Sequence, residues 1–110
     1  GPGTHLGHDV TLAANRKINI GENCVLSYNV SVIDHNHFFG RKIVPAKGKI
    51  TPGKKIVIGD GCFIGCNSTI LGGVKLGRHC VVGANTVVTK SFPDYSIITG
   101  PAGRLIGKLS

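Results

Sequence analysis

An aliphatic residue returns at every sixth position through much of the second half of the chain. The unbroken series is Ile58, Ile64, Ile70, Leu76, Val82 and Val88. A period of six matches neither the 3.6 residues per turn of an α-helix nor the alternation of a long strand. It predicts short strands joined by regular turns, with three hexads in each triangular coil and about 18 residues per coil. The period therefore predicts a solenoid of stacked coils.

The same pattern predicts which residues meet between coils. Residues 18 apart are expected to stack: Ile58 over Leu76, Ile64 over Val82 and Ile70 over Val88. The residue after the aliphatic one is often glycine, as at Gly59 and Gly65, and is expected to relieve the corner. The fourth residue after it is small or mid-sized and is expected to point inward. The series continues upstream as Ile20, Leu26 and Val32, with a weaker trace at Leu6 and Leu12, displaced by two residues.

Composition supports an all-β fold in a single domain, residues 1–110. The chain holds 12 Ile, 11 Val and 7 Thr, which favour strands, against one Glu and no Met or Gln. Helical bundles and coiled coils are excluded on these counts. No apolar run approaches the ~20 residues that a membrane-spanning helix needs, so membrane insertion is not expected.

The four cysteines follow the period rather than a disulfide or zinc pattern. Cys24, Cys62 and Cys80 occupy the inward small position, which indicates packed thiols in a reducing compartment, hence a cytoplasmic protein. Cys66 falls at a corner instead. Its spacing from Cys62 is not that of a zinc knuckle.

One segment interrupts the hexads and one follows them. Residues 38–55 form a loop insertion that carries six of the 13 basic residues and no acidic residue, and residues 93–110 form a C-terminal tail. A long loop without its own repeat is usually functional. With a formal net charge of +8, the chain predicts an anionic partner. The basic loop could contact cofactor phosphates, a nucleotide-sugar or an acidic glycan, or it could be a solubilising arm. Nucleic acid is not expected, because no aromatic residues alternate with the lysines.

Two histidines, His35 and His37, stand directly before this loop. An imidazole that titrates near neutral pH is a common general base for deprotonating a hydroxyl group. The neighbouring Asp34 could orient an imidazole or cap a turn, and the sequence favours neither role.

The segments from Ile56 to Gly65 and from Val82 to Lys90 resemble the hexapeptide-repeat acyltransferases. The Asp-His-x-His before the loop is similar to sugar O-acetyltransferases of the maltose, galactoside, lipopolysaccharide and capsule group. The resemblance implies a left-handed parallel β-helix, since a period alone carries no handedness. It also implies a homotrimer with active sites between subunits, acetyl-CoA as acyl donor without a metal, and a sugar or polysaccharide hydroxyl as acceptor.

The resemblance also assigns roles to residues. His37 falls on the catalytic histidine of the galactoside-type pattern, with His35 as the second candidate. It would take the proton of the acceptor hydroxyl, while backbone N–H groups at Gly65 and Cys66 would stabilise the oxyanion. The implied acetyl-CoA contacts are Cys66 and Ala84 at two corners, Thr89 and Lys90 at the nucleotide end, and Arg104 in the tail.

Two other interpretations stay open. A γ-type carbonic anhydrase shares the β-helix but requires three histidines on zinc. His35 and His37 could supply two of them, with the third from His5, His8 or His79. A non-catalytic β-helix that serves as a trimer scaffold would need no histidine beside the loop.

Overall fold

The computed structural model describes residues 1–14, 16–34 and 54–109. Within these ranges the chain forms thirteen short strands. They are β1 (His5–Leu6), β2 (Thr11–Ala13), β3 (Ile18–Ile20), β4 (Val25–Leu26), β5 (Ser31–Ile33), β6 (Ile56–Ile58), β7 (Phe63–Ile64), β8 (Thr69–Leu71), β9 (Lys75–Leu76), β10 (Val81–Val82), β11 (Val87–Val88), β12 (Ser96–Thr99) and β13 (Arg104–Lys108).

The strands build three sheets that form the sides of a triangular parallel β-helix. The first sheet has the order β1-β4-β7-β10-β12-β13, the second β11-β8-β5-β2 and the third β3-β6-β9. From β1 to β11, successive strands enter successive sheets, so each of the first three coils contributes one strand to each side. In the last coil a single bridge between Phe92 and Leu76 takes the place of a strand in the third sheet. The predicted register is confirmed: Ile58 pairs with Leu76, Ile64 with Val82, and Ile70 with Val88.

The coils on the two sides of the loop insertion keep this register. Ile20 pairs with Ile58, Leu26 with Ile64 and Val32 with Ile70, an advance of 38 residues instead of 18. The register thus counts 20 additional residues, 35–54, after Asp34, at the corner between the second and third sheets. Except for Lys54 and Lys55, the loop predicted at residues 38–55 lies outside the described residues. The insertion therefore leaves the stacking of the coils unchanged.

The helix interior is filled by the aliphatic series and by the small position of each hexad. Leu26, Val32 and Ile64 have no exposed surface, and Cys24, Cys62 and Cys80 are equally buried. Each of these thiols donates a hydrogen bond to a backbone carbonyl of the next coil: Cys24 to Gly59, Cys62 to Gly77 and Cys80 to Pro93, over 3.1–3.2 Å. The small inward position thus also satisfies a corner carbonyl.

The glycines of the hexads have a different role from the expected one. Left-handed backbone occurs at the third residue after the aliphatic one, for example at Asn67 (φ 60°) and Asn85 (φ 57°), and not at the glycine directly after it. A Cβ atom on Gly65 would lie 2.6 Å from the backbone nitrogen of Ala84 in the next coil. Glycine is required there because two coils approach closely, while asparagine tolerates the turn itself.

The two ends of the solenoid differ. Residues 93–110, expected as a tail, contain β12 and also β13, which pairs antiparallel with β12. The backbone N–H of Gly103 donates to the carbonyl of Val87 at 2.6 Å, so this segment covers the last strand of the second sheet. At the other end Leu6 and Leu12 remain 45% and 44% exposed, since no strand in the described ranges stacks on the first coil.

Candidate active site

The loop insertion leaves the helix at Asp34, whose side chain is 1% exposed. Its Oδ2 atom accepts hydrogen bonds from the backbone N–H groups of Arg16 (2.6 Å) and Lys17 (2.9 Å) in the preceding coil. Its carbonyl accepts from the N–H of Lys54 at 2.7 Å. Asp34 therefore ties three points of one corner together: the coil before the loop, the start of the loop and its return.

This geometry bears on the two roles considered for Asp34. Two backbone donors on one carboxylate oxygen are the pattern of a turn cap. His35 and His37, the predicted general bases, lie outside the described residues. Their catalytic role, and any contact of Asp34 with either ring, therefore stays a prediction.

The corner between the first and second sheets brings together Cys66 and Ala84, two of the predicted acetyl-CoA contacts. They lie in successive coils, and the N–H of Asn85 donates to the Cys66 carbonyl at 2.9 Å. Cys66 is half-buried and Ala84 is exposed. A ligand running along this corner can therefore contact both residues.

Tyr28, which sequence analysis did not select, lies in the same corner column. Its side-chain hydrogen bond with Cys66 raises the pKa of the Tyr28 phenol, and the negative charge of the Cys66 thiolate adds to the effect. The signal that could have found it is the 38-residue register, since Tyr28 follows Leu26 as Cys66 follows Ile64.

The backbone donors predicted for an oxyanion are only partly available. The Gly65 N–H donates to the Val82 carbonyl at 2.8 Å within the stack of coils. It is already paired, so the expectation that Gly65 supplies an oxyanion donor is wrong. Of the two predicted backbone donors to the oxyanion, only the N–H of Cys66 remains a candidate.

The remaining predicted acetyl-CoA contacts lie around β11. Thr89 and Lys90 follow this strand and are exposed, at the corner between the second and third sheets. The Lys90 ammonium lies 5.6 Å from the centre of the Phe92 ring, a cation–π distance. Arg104 begins β13, opposite Thr99 and next to the Gly103 that bonds to Val87. The structure thus places Ala84 before β11, Thr89 and Lys90 after it, and Arg104 at its outer edge.

The other histidines lie apart from the loop corner. His79 stacks on Tyr95 at the corner between the third and first sheets, with ring centres 5.4 Å apart. His5 lies on β1 and His8 follows that strand. In the part of the chain that the structure describes, no three His, Cys, Asp or Glu side chains come together as metal ligands.

A cavity of about 480 Å³ opens at the first-coil end of the β-helix. Its lining is mostly apolar, with Leu12, Ile18 and Ile20 beside the polar Asn19, and none of the predicted site residues lines it.

The described residues contain no helix with the length and hydropathy to cross a membrane.

Comparison with known proteins places these features in a family. A family profile described as the hexapeptide repeat of succinyl-transferase matches residues 55–90. YvoF of Bacillus subtilis, assigned as an acetyltransferase, is 36% identical over 82% of this chain and 47% of its own length. WbbJ of Escherichia coli, assigned as a lipopolysaccharide biosynthesis O-acetyl transferase, is 31% identical over 90% of this chain and 54% of its own. A crystal structure of a maltose O-acetyltransferase from Clostridium difficile has a TM-score of 0.73 and 29% identity, over 98% of this chain and 60% of that one.

The chain belongs to the hexapeptide-repeat acyltransferases. Its parallel β-helix is accordingly the left-handed one predicted from the resemblance. The hexapeptide-repeat match at residues 55–90 contains Cys66, Ala84, Thr89 and Lys90, but not Asp34 or Arg104. The chain spans about half the length of the two curated relatives named here.

Proposed function

We propose that this protein is an acetyl-CoA-dependent O-acetyltransferase that acts on a sugar or polysaccharide hydroxyl. The proposal is supported by its family membership and by relatives that are assigned as acetyltransferases. The observation that carries it is the arrangement around β11, where a corner with Cys66 and Ala84 is followed by a corner with Thr89 and Lys90. An elongated donor with an anionic nucleotide end would pass from the first corner to the second.

The proposed reaction is a direct transfer with His37 as the general base and His35 as the alternative. The imidazole takes the proton of the acceptor hydroxyl while its oxygen attacks the thioester carbonyl. The N–H of Cys66 donates to the oxyanion of the tetrahedral intermediate. The carbon–sulfur bond then breaks, and the imidazolium returns the proton to the leaving thiolate. The products are an acetyl ester and free coenzyme A.

The protein is further proposed to act as a cytoplasmic homotrimer. Ala84, Thr89 and Lys90 lie on the outer surface of a single helix, so one chain offers only one side of a groove. A second copy would supply the opposite side, as the family resemblance implies.

An assay of acetyl transfer to a panel of sugars tests this proposal. The reaction is measured by the free thiol of coenzyme A that it releases. His37→Ala is expected to lower kcat by about 100-fold or more, since general-base catalysis contributes about 10²–10⁴. Its acetyl-CoA affinity, measured by calorimetry, should match that of the wild type. His35→Ala is the matched control and should stay active. If His37→Ala is fully active and His35→Ala is not, the base is His35.

The nucleotide end of the donor is tested separately. Lys90→Gln is expected to weaken acetyl-CoA binding by up to about fivefold, the range of one exposed ion pair. Equal affinity in wild type and variant would show that Lys90 is a solvent-exposed charge without a role in binding.

A further inference from the structure

Charge is unevenly distributed around the three corners of the helix. Five exposed cations lie at the corner between the second and third sheets or on the residues that open the third sheet. This group, here called the basic edge, consists of Arg16, Lys17, Lys54, Lys55 and Lys75. It does not include Lys90, which is proposed to bind the nucleotide end of the donor.

The backbone contacts place these residues in successive coils. The N–H of Ile56, next to Lys55, donates to the Lys17 carbonyl at 3.0 Å, so the two lysines lie in adjacent coils. Lys75 pairs with Val57 one coil further. The edge thus spans three coils, and two spacings of about 4.8 Å make it roughly 10 Å long, parallel to the helix axis.

Four of the five acidic residues of the chain lie away from this edge. Asp9 follows β1, at the corner between the first and second sheets. Glu22, Asp60 and Asp94 lie at the corner between the third and first sheets, where Asp94 is 3.5 Å from Arg78. Asp34 is the one carboxylate at the basic edge, where it is buried and accepts from the backbone N–H groups of Arg16 and Lys17. The described residues of the edge therefore carry five cations against one carboxylate, an excess of positive charge that favours an external anion.

We propose that the basic edge binds an acidic polysaccharide, a linear glycan with repeated carboxylate groups, and that this glycan is the acceptor. The second part rests on the acetyl transfer proposed above. A row of cations parallel to the axis matches a linear chain with anions at regular intervals. A glycan of this kind also supplies hydroxyl groups beside its carboxylates, and the edge includes the corner at which Asp34 leads into the predicted histidines.

The other polyanions fit the described surface less well. Single-stranded nucleic acid needs aromatic side chains on which bases stack, and an anionic membrane needs apolar side chains that enter the lipid. The large exposed apolar residues of the described ranges, such as Phe63, Tyr95 and Ile106, do not belong to the basic edge. In the described ranges the edge thus presents lysine and arginine without large apolar side chains, and such a surface suits a hydrophilic anion.

The test is a binding titration of the full chain with oligogalacturonate, with a maltooligosaccharide of equal length as the neutral control. The edge variant is Lys55→Gln with Lys75→Gln. The matched control is Arg78→Gln with Lys108→Gln, which removes the same charge from other surfaces. We expect wild type and control to bind oligogalacturonate, the edge variant to bind about fivefold more weakly, and the neutral glycan to bind much less well. All four lysine and arginine side chains are exposed, and a melting curve of each variant checks the fold.

Three results would overturn the proposal. The first is an edge variant that binds as well as the control. The second is loss of glycan binding in saturating acetyl-CoA, which would assign the edge to the phosphates of the donor. The third is edge-dependent binding of phosphatidylglycerol vesicles or of a DNA strand without binding of the acidic glycan. Acetyl-CoA binding measured on the same samples tests the proposed transferase independently, so the failure of one proposal is distinguishable from that of the other.

Discussion

At the scale of single residues, each buried thiol both fills space in the interior and donates a hydrogen bond. Cys62 fills a narrow interior position and donates to the Gly77 carbonyl at 3.1 Å. A serine side chain can also donate, through its hydroxyl, but it is smaller than cysteine. An alanine side chain has neither the sulfur nor a donor. The same position in another hexad is in fact a serine, Ser68, whose hydroxyl donates to Gly83 at 2.8 Å. At Cys24, Cys62, Ser68 and Cys80 this position thus combines a small side chain with a hydrogen-bond donor, whereas Val30 and Val74 only fill the space.

Burial has a consequence for stability at alkaline pH. It raises the pKa of the Cys62 thiol from 9.0 to about 12. Below pH 9 the thiol is protonated in both states and contributes no pH dependence. Above it the unfolded chain ionises while the folded protein does not, so the free energy of unfolding should fall between about pH 9 and pH 12. Denaturant titrations at several pH values should show a steeper fall for wild type than for Cys62→Ser; equal slopes would contradict this.

The close approach of coils predicts which glycines cannot be replaced. A Cβ atom on Gly65 would meet backbone of the next coil, which cannot move without shifting the stack. Gly65→Ala should cost about 1–3 kcal/mol of unfolding free energy. Gly107→Ala is the matched control, because the nearest atom to its Cβ is 3.8 Å away, and its cost should stay within about 0.5 kcal/mol. A chemical denaturation series compares the two, and equal costs would show that the coils adjust.

At the scale of elements, the corner at Asp34 separates the loop insertion from the helix. Val32-Ile33-Asp34 occupies the same places in its coil as Ile70-Leu71-Gly72 in the next. Lys55 then corresponds to Gly73, which has a φ of 86° and is the corner residue of an uninterrupted coil. The insertion is therefore an addition to a complete coil.

Removal of the insertion should leave a folded protein. The variant lacks residues 35–54 and carries Lys55→Gly, so that the shortened corner matches Gly72-Gly73. We expect its circular dichroism spectrum and acetyl-CoA binding to remain near those of the wild type, and acetyl transfer to be lost with His35 and His37. A variant that is unfolded would show that the helix depends on the insertion.

The sequence predicted the elements where the hexads are regular and failed where local pattern no longer decides the structure. The pairing of Ile58 with Leu76 follows from the period alone. The strand β13 could not be predicted, because it pairs antiparallel and Arg104–Lys108 has no hexad pattern. The neighbours of Asp34 and of Cys66 come from other coils, so their identity depends on a register that spans the insertion. His35 and His37 remain predictions from sequence.

At the scale of the whole molecule, stability is additive along the helix axis, since each coil contacts only its neighbours. Central strands such as β7 have a partner on both sides, whereas within the described ranges the first coil has one and leaves Leu6 and Leu12 half exposed.

This arrangement predicts a gradient of local stability. Backbone amides of residues 62–82 should exchange with deuterium most slowly, and those of residues 4–13 fastest, because the first coil can open without disturbing the rest. Peptide-resolved exchange mass spectrometry measures the profile. Uniform protection from the first coil to β12 would mean that the helix unfolds as one cooperative unit.

The corner at Asp34 has a consequence for how such a protein can diversify. The segment that carries the predicted histidines enters and leaves where one hydrogen bond joins Asp34 to Lys54, and the coils on either side stack as if nothing had been added. Its length and content can change by mutation while the corners around β11, which are proposed to bind the donor, stay as they are. The β-helix can therefore stay constant as a scaffold while the inserted segment varies. A change in the proposed acceptor would then require no change of fold.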